Sequence, residues 1–467
     1  MSTLFSGINL ALQAMLAQQQ SVLVTEHNVA QANTPGYRRQ EAKLASNPAY
    51  APPGMNRPGG AGQLGMGVSV ERIYRFNLEF FDQRFRKELA GAKQWGSYEA
   101  ALQQMEASLA ETSDDGVNAR LDAFWEGWQA LSAEPTNTAA RADLRQRSVM
   151  LTDSLNRRAE ALIQLRSDQN AAVVQSVSEI NDLAERVAKL NGEISQSLAA
   201  GAQPNDLLDE RDRLIDNLAE MAGAISSRQE NGDEIVSIGG HALVVGKESF
   251  ALQTSPDPAN SNLAAITWSD GSGLNGNNGS LYGLLNARDT AIPNQQSGLD
   301  TLAATLMNQV NTLHQGGYGL NGATGLDFFT GSDALSVRVN PVTEDLASIA
   351  AAANPNAAGD GSVAGQMAGL QHLKLLNGGA STMNQFAADQ ASSLGLDVAQ
   401  ASKQVANHEL LTSSLAEQRE SLTGVSLDEE AANLIKFQRT YQAAARLINV
   451  LDEMMETVIN GMGVVGR

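Results

Sequence analysis

Five histidines, a glycine-bounded loop and a carboxylate-dense segment are where this 467-residue chain could do chemistry. His27, His241, His314, His372 and His408 have no mutual spacing that would gather them on one metal, and no HExxH helix occurs. Surface or interface positions are the ordinary expectation for them. Gly240-His241-Ala242-Leu243-Val244-Val245-Gly246-Lys247-Glu248 approaches a phosphate-cradling loop. Its glycine spacing is too long, however, and Glu248 stands where a hydroxyl is needed; the stretch predicts a β-hairpin. Asp270-Gly271-Ser272-Gly273-Leu274-Asn275 imitates a calcium loop but is broken by an apolar residue and misplaced glycines, so a solvated turn is expected, with weak cation binding as the alternative. Leu208 to Asp216 carries many charges, and the i,i+4 spacing of Asp209 and Arg213 predicts a solvated helix face. Acid–base work would need paired carboxylates in a cleft, which nothing here indicates. The expectation is a chain without catalytic residues, metal ligands or cofactors, and not an enzyme.

Composition narrows the class. Hydrophobic content of 42% suffices for a real core, and aromatics at 5% suit helical bundles and small β modules better than one large enzyme core. A net charge of −20 with no basic run argues against nucleic acid, whose binding needs a cationic surface to release counterions. The absence of cysteine excludes disulfides, thiolate zinc sites and a cysteine nucleophile. It fits a reduced cytoplasm and equally a chain exported unfolded. No apolar run approaches ~18 residues, so no membrane insertion is expected. Residues 1–25 hold no Lys or Arg, so the positive region of a secretory signal is missing.

Both ends carry an amphipathic repeat. Phe5, Ile8, Leu12, Met15, Val22 and Val29 alternate steps of three and four, broken by Gln19 and Glu26. Leu427, Leu434, Phe437, Tyr441, Ala444, Ile448, Leu451, Met455, Val458 and Met462 do the same, with a polar break at Glu430. Such stripes need a cover. The simplest cover for each terminus is the other, as a coiled coil; the stripes alone are equally compatible with intramolecular packing and with assembly.

Between the ends, a first helix of about 3–32 stops at Asn33-Thr34-Pro35-Gly36. Residues 37–44 then extend, 47–67 form a Pro/Gly-rich arm, and 68–74 alternate like a strand. Helices are expected over 77–111, 116–134, 138–199, after Pro204, 280–314 with a break near Pro293, 363–376, 381–422 and 428–461. The 138–199 stretch has no proline and one glycine, and as one helix would be a rod of roughly 90 Å. Strands are expected at 225–228, 234–238, 242–245, 249–254, 264–268 and 336–339, with Asn231-Gly232 as a hairpin signal.

The predicted fold class is mainly α with a β-rich insertion, a nested multi-domain rod. Its parts are a terminal assembly domain (1–45 and 425–467), a long helical bundle with an extended arm (46–222, 280–316 and 360–424) and an outer β-rich domain (223–279 and 317–359).

Three separated stretches carry a resemblance. Asn28 to Gln40, with Asn33-Thr34-Pro35-Gly36-Tyr37 at its centre, resembles the N-terminal signature of the flagellar rod, hook and hook-associated protein family, and Ser426 to Ile448 resembles its C-terminal signature. Leu207–Ala219, Gly279–Asp289 and Val310–Gly322 are similar to the hook-associated protein 1 branch. The resemblance spans nearly the whole chain, with little room for a second large outer insertion.

It implies a structural protein of the bacterial flagellum at the hook–filament junction, extracellular after a transient cytoplasmic stage. The implied partners are further copies of itself in a ring or helical assembly, hook protein, hook-associated protein 3, the flagellar type III export apparatus and a cytoplasmic export chaperone. The chaperone would cover the C-terminal helix around Leu447, Ile448, Leu451 and Met455. Other readings predict features that are missing. A secreted hydrolase would need a polar catalytic cluster, and a type III translocator would need a membrane-inserting hairpin. A flagellin-like subunit would lack the Asn33–Tyr37 turn.

Overall fold

The computed structural model describes residues 2–48, 65–109 and 116–462, with side-chain surroundings from 6 to 460. Most of the arm expected at 47–67 lies outside these residues, as do the side chains of Phe5 and Met462.

The chain opens with α1 (Ser2–Gln31), β1 (Gln40–Ser46), β2 (Val68–Arg75), α2 (Glu79–Leu109) and α3 (Val117–Ala133). Next come α4 (Thr138–Ala199) and α5 (Asn205–Ala222), then strands β3 (Ile225–Arg228), β4 (Glu234–Ile238), β5 (His241–Val245), β6 (Glu248–Ser249), β7 (Leu252–Asp257) and β8 (Leu263–Trp268). The chain continues through α6 (Ser280–Asn286), α7 (Ile292–Gly316), β9 (Phe329–Thr330), β10 (Arg338–Val339), α8 (Ser362–Gly369), α9 (Met383–Thr423) and α10 (Leu427–Met462). The molecule is mostly helical with small antiparallel sheets.

The axis of the molecule is α4, 62 residues without interruption, or roughly 90 Å of helix. Its start is fixed by Asn137, whose side-chain oxygen accepts from the Ala139 and Ala140 amides at 2.9 and 3.2 Å. Such a cap stabilises a helix by about 1 kcal/mol. Two separate cores form along it. Leu144, Leu151 and Leu155 near its start pack into a cluster with Trp125 and Trp128 of α3, Leu306 and Val310 of α7, and Phe328 and Phe329. Val173, Ile180 and Val187 farther along pack with Leu214, Ile215 and Leu218 of α5 and with Val236, Val244 and Trp268 of the sheets. A third cluster between them joins Leu102 and Met105 of α2 to Leu162, Ile292 and Leu394.

The segments 223–279 and 317–359, expected as an outer β-rich domain, contribute to different apolar clusters. The strands of 225–268 belong to the core on the later half of α4, whereas Phe328, Phe329 and Val337 belong to the core on its first half.

The sheets are local. β3, β4, β5 and β6 form a meander in sequence order, and β7–β8, β9–β10 and β1–β2 are two-stranded antiparallel pairs. Gly239 and Gly240 connect β4 to β5 with φ of +57° and +89°, the conformation a two-residue I′ hairpin turn requires. The loop that resembled a phosphate cradle is the β5–β6 hairpin, Val245 opposite Glu248. Near Pro293 the helix does not break: a π-helical turn at Ala287–Ala291 feeds into α7, with the proline in its first turn, where no donor is needed. The helix expected to run to 376 stops at Gly369 and continues as one 3-10 turn to His372.

Candidate assembly site: the terminal helix pair and its ionic junction

α1 and α10 pack along each other in antiparallel register. Gly7 lies against Leu451, with a Cβ at Gly7 falling 3.1 Å from the leucine Cδ1, and Asn28 lies against Glu430. The two contacts are the same three heptads apart on both helices.

On α10, Leu434, Phe437, Tyr441, Ile448, Leu451 and Met455 are half-buried and Ala444 is buried, in steps of three and four. Val458 is exposed, and so is Leu447, beside the seam. On α1, Ile8, Met15 and Val22 are half-buried, but Leu12 and Val29 are 39% and 44% exposed. Apart from Val24, the buried residues on α1 are small or polar: Ala11, Ala17, Gln18, Ser21, Thr25 and Asn28. Apolarity alone does not reveal such a stripe, since its members are chosen to let neighbouring backbones approach.

The Asn33–Tyr37 turn ends α1. The Tyr37 amide donates to the Thr34 carbonyl at 3.1 Å, with Pro35 and Gly36 at the two central positions. Gly36 has φ +83°, as the third residue of a type II turn must. Asn33 to Gly36 are exposed and Tyr37 is half-buried. The hydroxyl of Tyr37 donates to Asn28 Oδ1 at 2.7 Å. Burial, with Asp206, Asp209 and Glu430 nearby, raises its pKa far above the ordinary range and keeps it a donor.

Between them, the four residues from Tyr37 to Gln40 bond to α1, α2, α5, α9 and α10. Tyr37 holds α1. The Arg38 guanidinium reaches Asp82 of α2 at 2.8 Å and Asp212 of α5 at 3.3 Å, and bonds to Asn77, while its amide donates to Asp209 at 3.1 Å. Arg39 pairs with Glu429 and Glu430 of α10 at 2.6 and 2.8 Å, and its amide donates to the carbonyl of Thr423 at the end of α9. Gln40 exchanges hydrogen bonds with the Asn28 side chain and accepts from Asn205 at the start of α5.

Around Arg38 the ionic cluster widens. Arg75 pairs with Asp209 at 2.7 Å and Asp212 at 2.6 Å; Arg86 pairs with Asp216 at 2.6 Å; Arg419 of α9 pairs with Asp216 at 2.9 Å and lies over the Phe85 ring. Four arginines meet four aspartates, so the buried charge is balanced. Burial would raise the pKa of Asp212, but Arg75, Arg38 and Arg86 outweigh it and hold that carboxyl well below the usual range. At Asp209 burial wins over the same kind of partners and the pKa is raised. The solvated face expected for this helix is therefore corrected. Asp209, Arg211 and Asp212 are buried, and Arg213 pairs with Glu210 rather than Asp209. Helical spacing sees only a residue's own helix, and the arginines here arrive from more than 120 positions away.

The histidines are dispersed. His314 is buried, with Nδ1 at 2.6 Å from the Leu326 carbonyl and Nε2 accepting from the Ala350 amide at 3.0 Å. His408 contacts Glu88, His27 contacts Tyr37, and His241 stacks on Trp268. Among the described residues no group of His, Asp and Glu could hold a metal ion, and no helix is long and apolar enough to cross a membrane.

Sequence comparison places this terminal helix pair and long bundle in a family. A flagellar hook-associated protein 1 of Bacillus subtilis is 30% identical over the full length of both chains. The chain belongs to the flagellar hook-associated protein 1 family. The Escherichia coli hook-associated protein 1 is 26% identical over 97% of this chain and 99% of its own. The Salmonella typhimurium protein is 29% identical over 70% of this chain and 59% of its own. The family profile of the flagellar hook-associated protein FlgK helical domain matches residues 102–329, and that of the flagellar basal body rod FlgEFG protein C-terminal matches 418–461. The fold is similar to that of the flagellar hook junction protein FlgK from Burkholderia pseudomallei, with a TM-score of 0.63 at 15% identity over 74% of this chain and all of the other. The first profile spans the end of α2 to the start of β9, and the second spans the end of α9 and most of α10.

Proposed function

We propose that this chain is a structural subunit of the bacterial flagellum that joins hook to filament. Family membership over the full length of a hook-associated protein 1 carries this reading. In it, α1 and α10 form the coiled coil of the assembly domain, nested around the bundle, and copies of the chain assemble through it between hook protein and hook-associated protein 3.

The outer faces of the pair support assembly. Leu10, Leu16 and Leu23 of α1 and Ile435, Val450, Met454 and Ile459 of α10 are exposed in the single chain. An apolar surface of that extent invites association. Before type III export a cytoplasmic chaperone would bind α10 around exposed Leu447 and around Ile448, Leu451 and Met455, taking the place of α1 on the inner stripe. Phe5, Ile8, Leu12, Met15, Val22, Val29, Leu434, Phe437, Tyr441 and Val458 complete the proposed assembly seam, and Asn33 to Tyr37 orient it.

Deleting the gene in its motile host tests the reading. Hooks without filaments, with flagellin released to the medium, are expected; filaments of normal length and attachment would overturn it.

A further inference from the structure

We infer that Glu430, together with Asn28 and Arg39, is a register pin that selects one alignment of α10 along α1. The inference concerns the folded chain itself and goes beyond its place in the flagellum.

Glu430 occupies the gap in the apolar seam between Leu427 and Leu434, and it is 2% exposed. A leucine there would continue the stripe. Burying a carboxylate costs several kcal/mol before its partners are counted, and replacing a buried ion pair with apolar residues is often neutral or stabilising. Its presence therefore calls for a role other than net stability. The best-attested role for a lone polar residue in a helix seam is the choice of register.

The partners make that role specific. Glu430 Oε2 accepts from Asn28 Nδ2 at 3.1 Å and Oε1 accepts from Arg39 Nε at 2.8 Å. Asn28 is itself fixed, since its amide group bonds to both backbone groups of Gln40 and accepts from Tyr37. Arg39 is held by its own amide on Thr423. Neither partner can follow α10 if it slides.

The buried stripe of α1 repeats small and polar residues at heptad steps, Ala11, Gln18 and Thr25. A slip of one heptad moves α10 by about 10 Å. It would seat Glu430 beside Ser21, whose hydroxyl already donates to the Ala17 carbonyl, and would leave Arg39 without the carboxylate.

The absence of cysteine makes the test clean. Full-length chains carrying Gly7→Cys with Leu451→Cys report the observed register. Gly7→Cys with Ala444→Cys, or with Val458→Cys, report the two one-heptad slips. Each pair is treated with a short bis-maleimide cross-linker at low protein concentration, and the monomeric product is quantified. With Glu430 intact, only the 7–451 pair is expected to link. With Glu430→Leu, the slipped pairs are expected to rise about tenfold while helical content is retained. Glu430→Gln keeps one acceptor and should give an intermediate yield. Slipped pairs at background in both variants would overturn the inference. So would loss of helical signal in Glu430→Leu, because the carboxylate would then hold the fold and not its register. Failure of 7–451 to link in the parent would remove the register itself.

Discussion

Asn28 and Glu430 lie 402 residues apart and meet through an amide–carboxylate hydrogen bond of 3.1 Å. The Asn28 oxygen also accepts from the backbone amide of Gln40 at 3.0 Å, so one side chain ties the two terminal helices and the first strand together. Replacing Asn28 with Ala removes a buried partner from that amide, a loss of about 1–3 kcal/mol for a group left unpaired. Hydrogen exchange at the Gln40 amide should accelerate at least about tenfold, with exchange in α4 unchanged. An unchanged Gln40 rate would show that β1 holds without α1.

Asp212→Asn should be among the most destabilising single changes. It leaves Arg75, Arg38 and Arg86 around an amide where a carboxylate balanced them. Removing one partner of a buried ion network costs about 3–5 kcal/mol. Urea unfolding monitored by circular dichroism measures it, and a loss below about 1 kcal/mol would mean that solvent already screens the cluster.

Two buried groups, His314 and Asp212, set two pH windows. Burial lowers the pKa of His314 below its ordinary 6.5, outweighing the Leu326 carbonyl and Asp327. Its folded pKa lies below its unfolded one, so its contribution is full above 6.5 and is lost as pH falls through the folded value. Protonating Nε2 would also set an N–H against the Ala350 amide. Asp212 is depressed in the same sense, so its contribution is full above 3.8 and falls at lower pH. Asp209 is raised above 3.8 and acts oppositely, favouring the fold as it protonates. Melting temperature should fall between pH 8 and pH 5, and His314→Asn should flatten that slope. Equal slopes in both proteins would assign the effect elsewhere.

Truncation after Val425 should leave the bundle folded. No residue of α1 or α10 belongs to the three apolar clusters described along α4. A cooperative melt within a few degrees of the full chain is expected. A broad, non-cooperative melt would mean that the terminal pair completes the core.

Much of the framework was legible because it rests on local rules. α4 begins at the residue that follows a capping Asn137 and runs as far as proline and glycine are scarce. The β4–β5 turn follows from Gly239-Gly240. The junction was not legible. Asp209 and Asp212 look solvated by helical spacing, and the arrival of Arg38, Arg75 and Arg86 from distant chain makes their burial possible, while Arg211 is buried against Asn191, Gly232 and Glu234. The inner stripe of α1 was also hidden, because Ala11, Ser21 and Thr25 signal close approach rather than hydrophobicity. The apolar residues Leu12 and Val29 drew attention to positions that the single chain leaves exposed.

The most direct measurement complements the gene deletion with two chains, the parent and one carrying Ile448→Asp and Leu451→Asp. Both residues sit half-buried on the inner stripe of α10. The parent should restore filaments. The double variant should keep a cooperatively folded bundle and leave hooks bare, because charge in the seam blocks pairing and assembly without touching the cores. Filaments of normal number and length from the double variant would contradict assembly through the terminal helices.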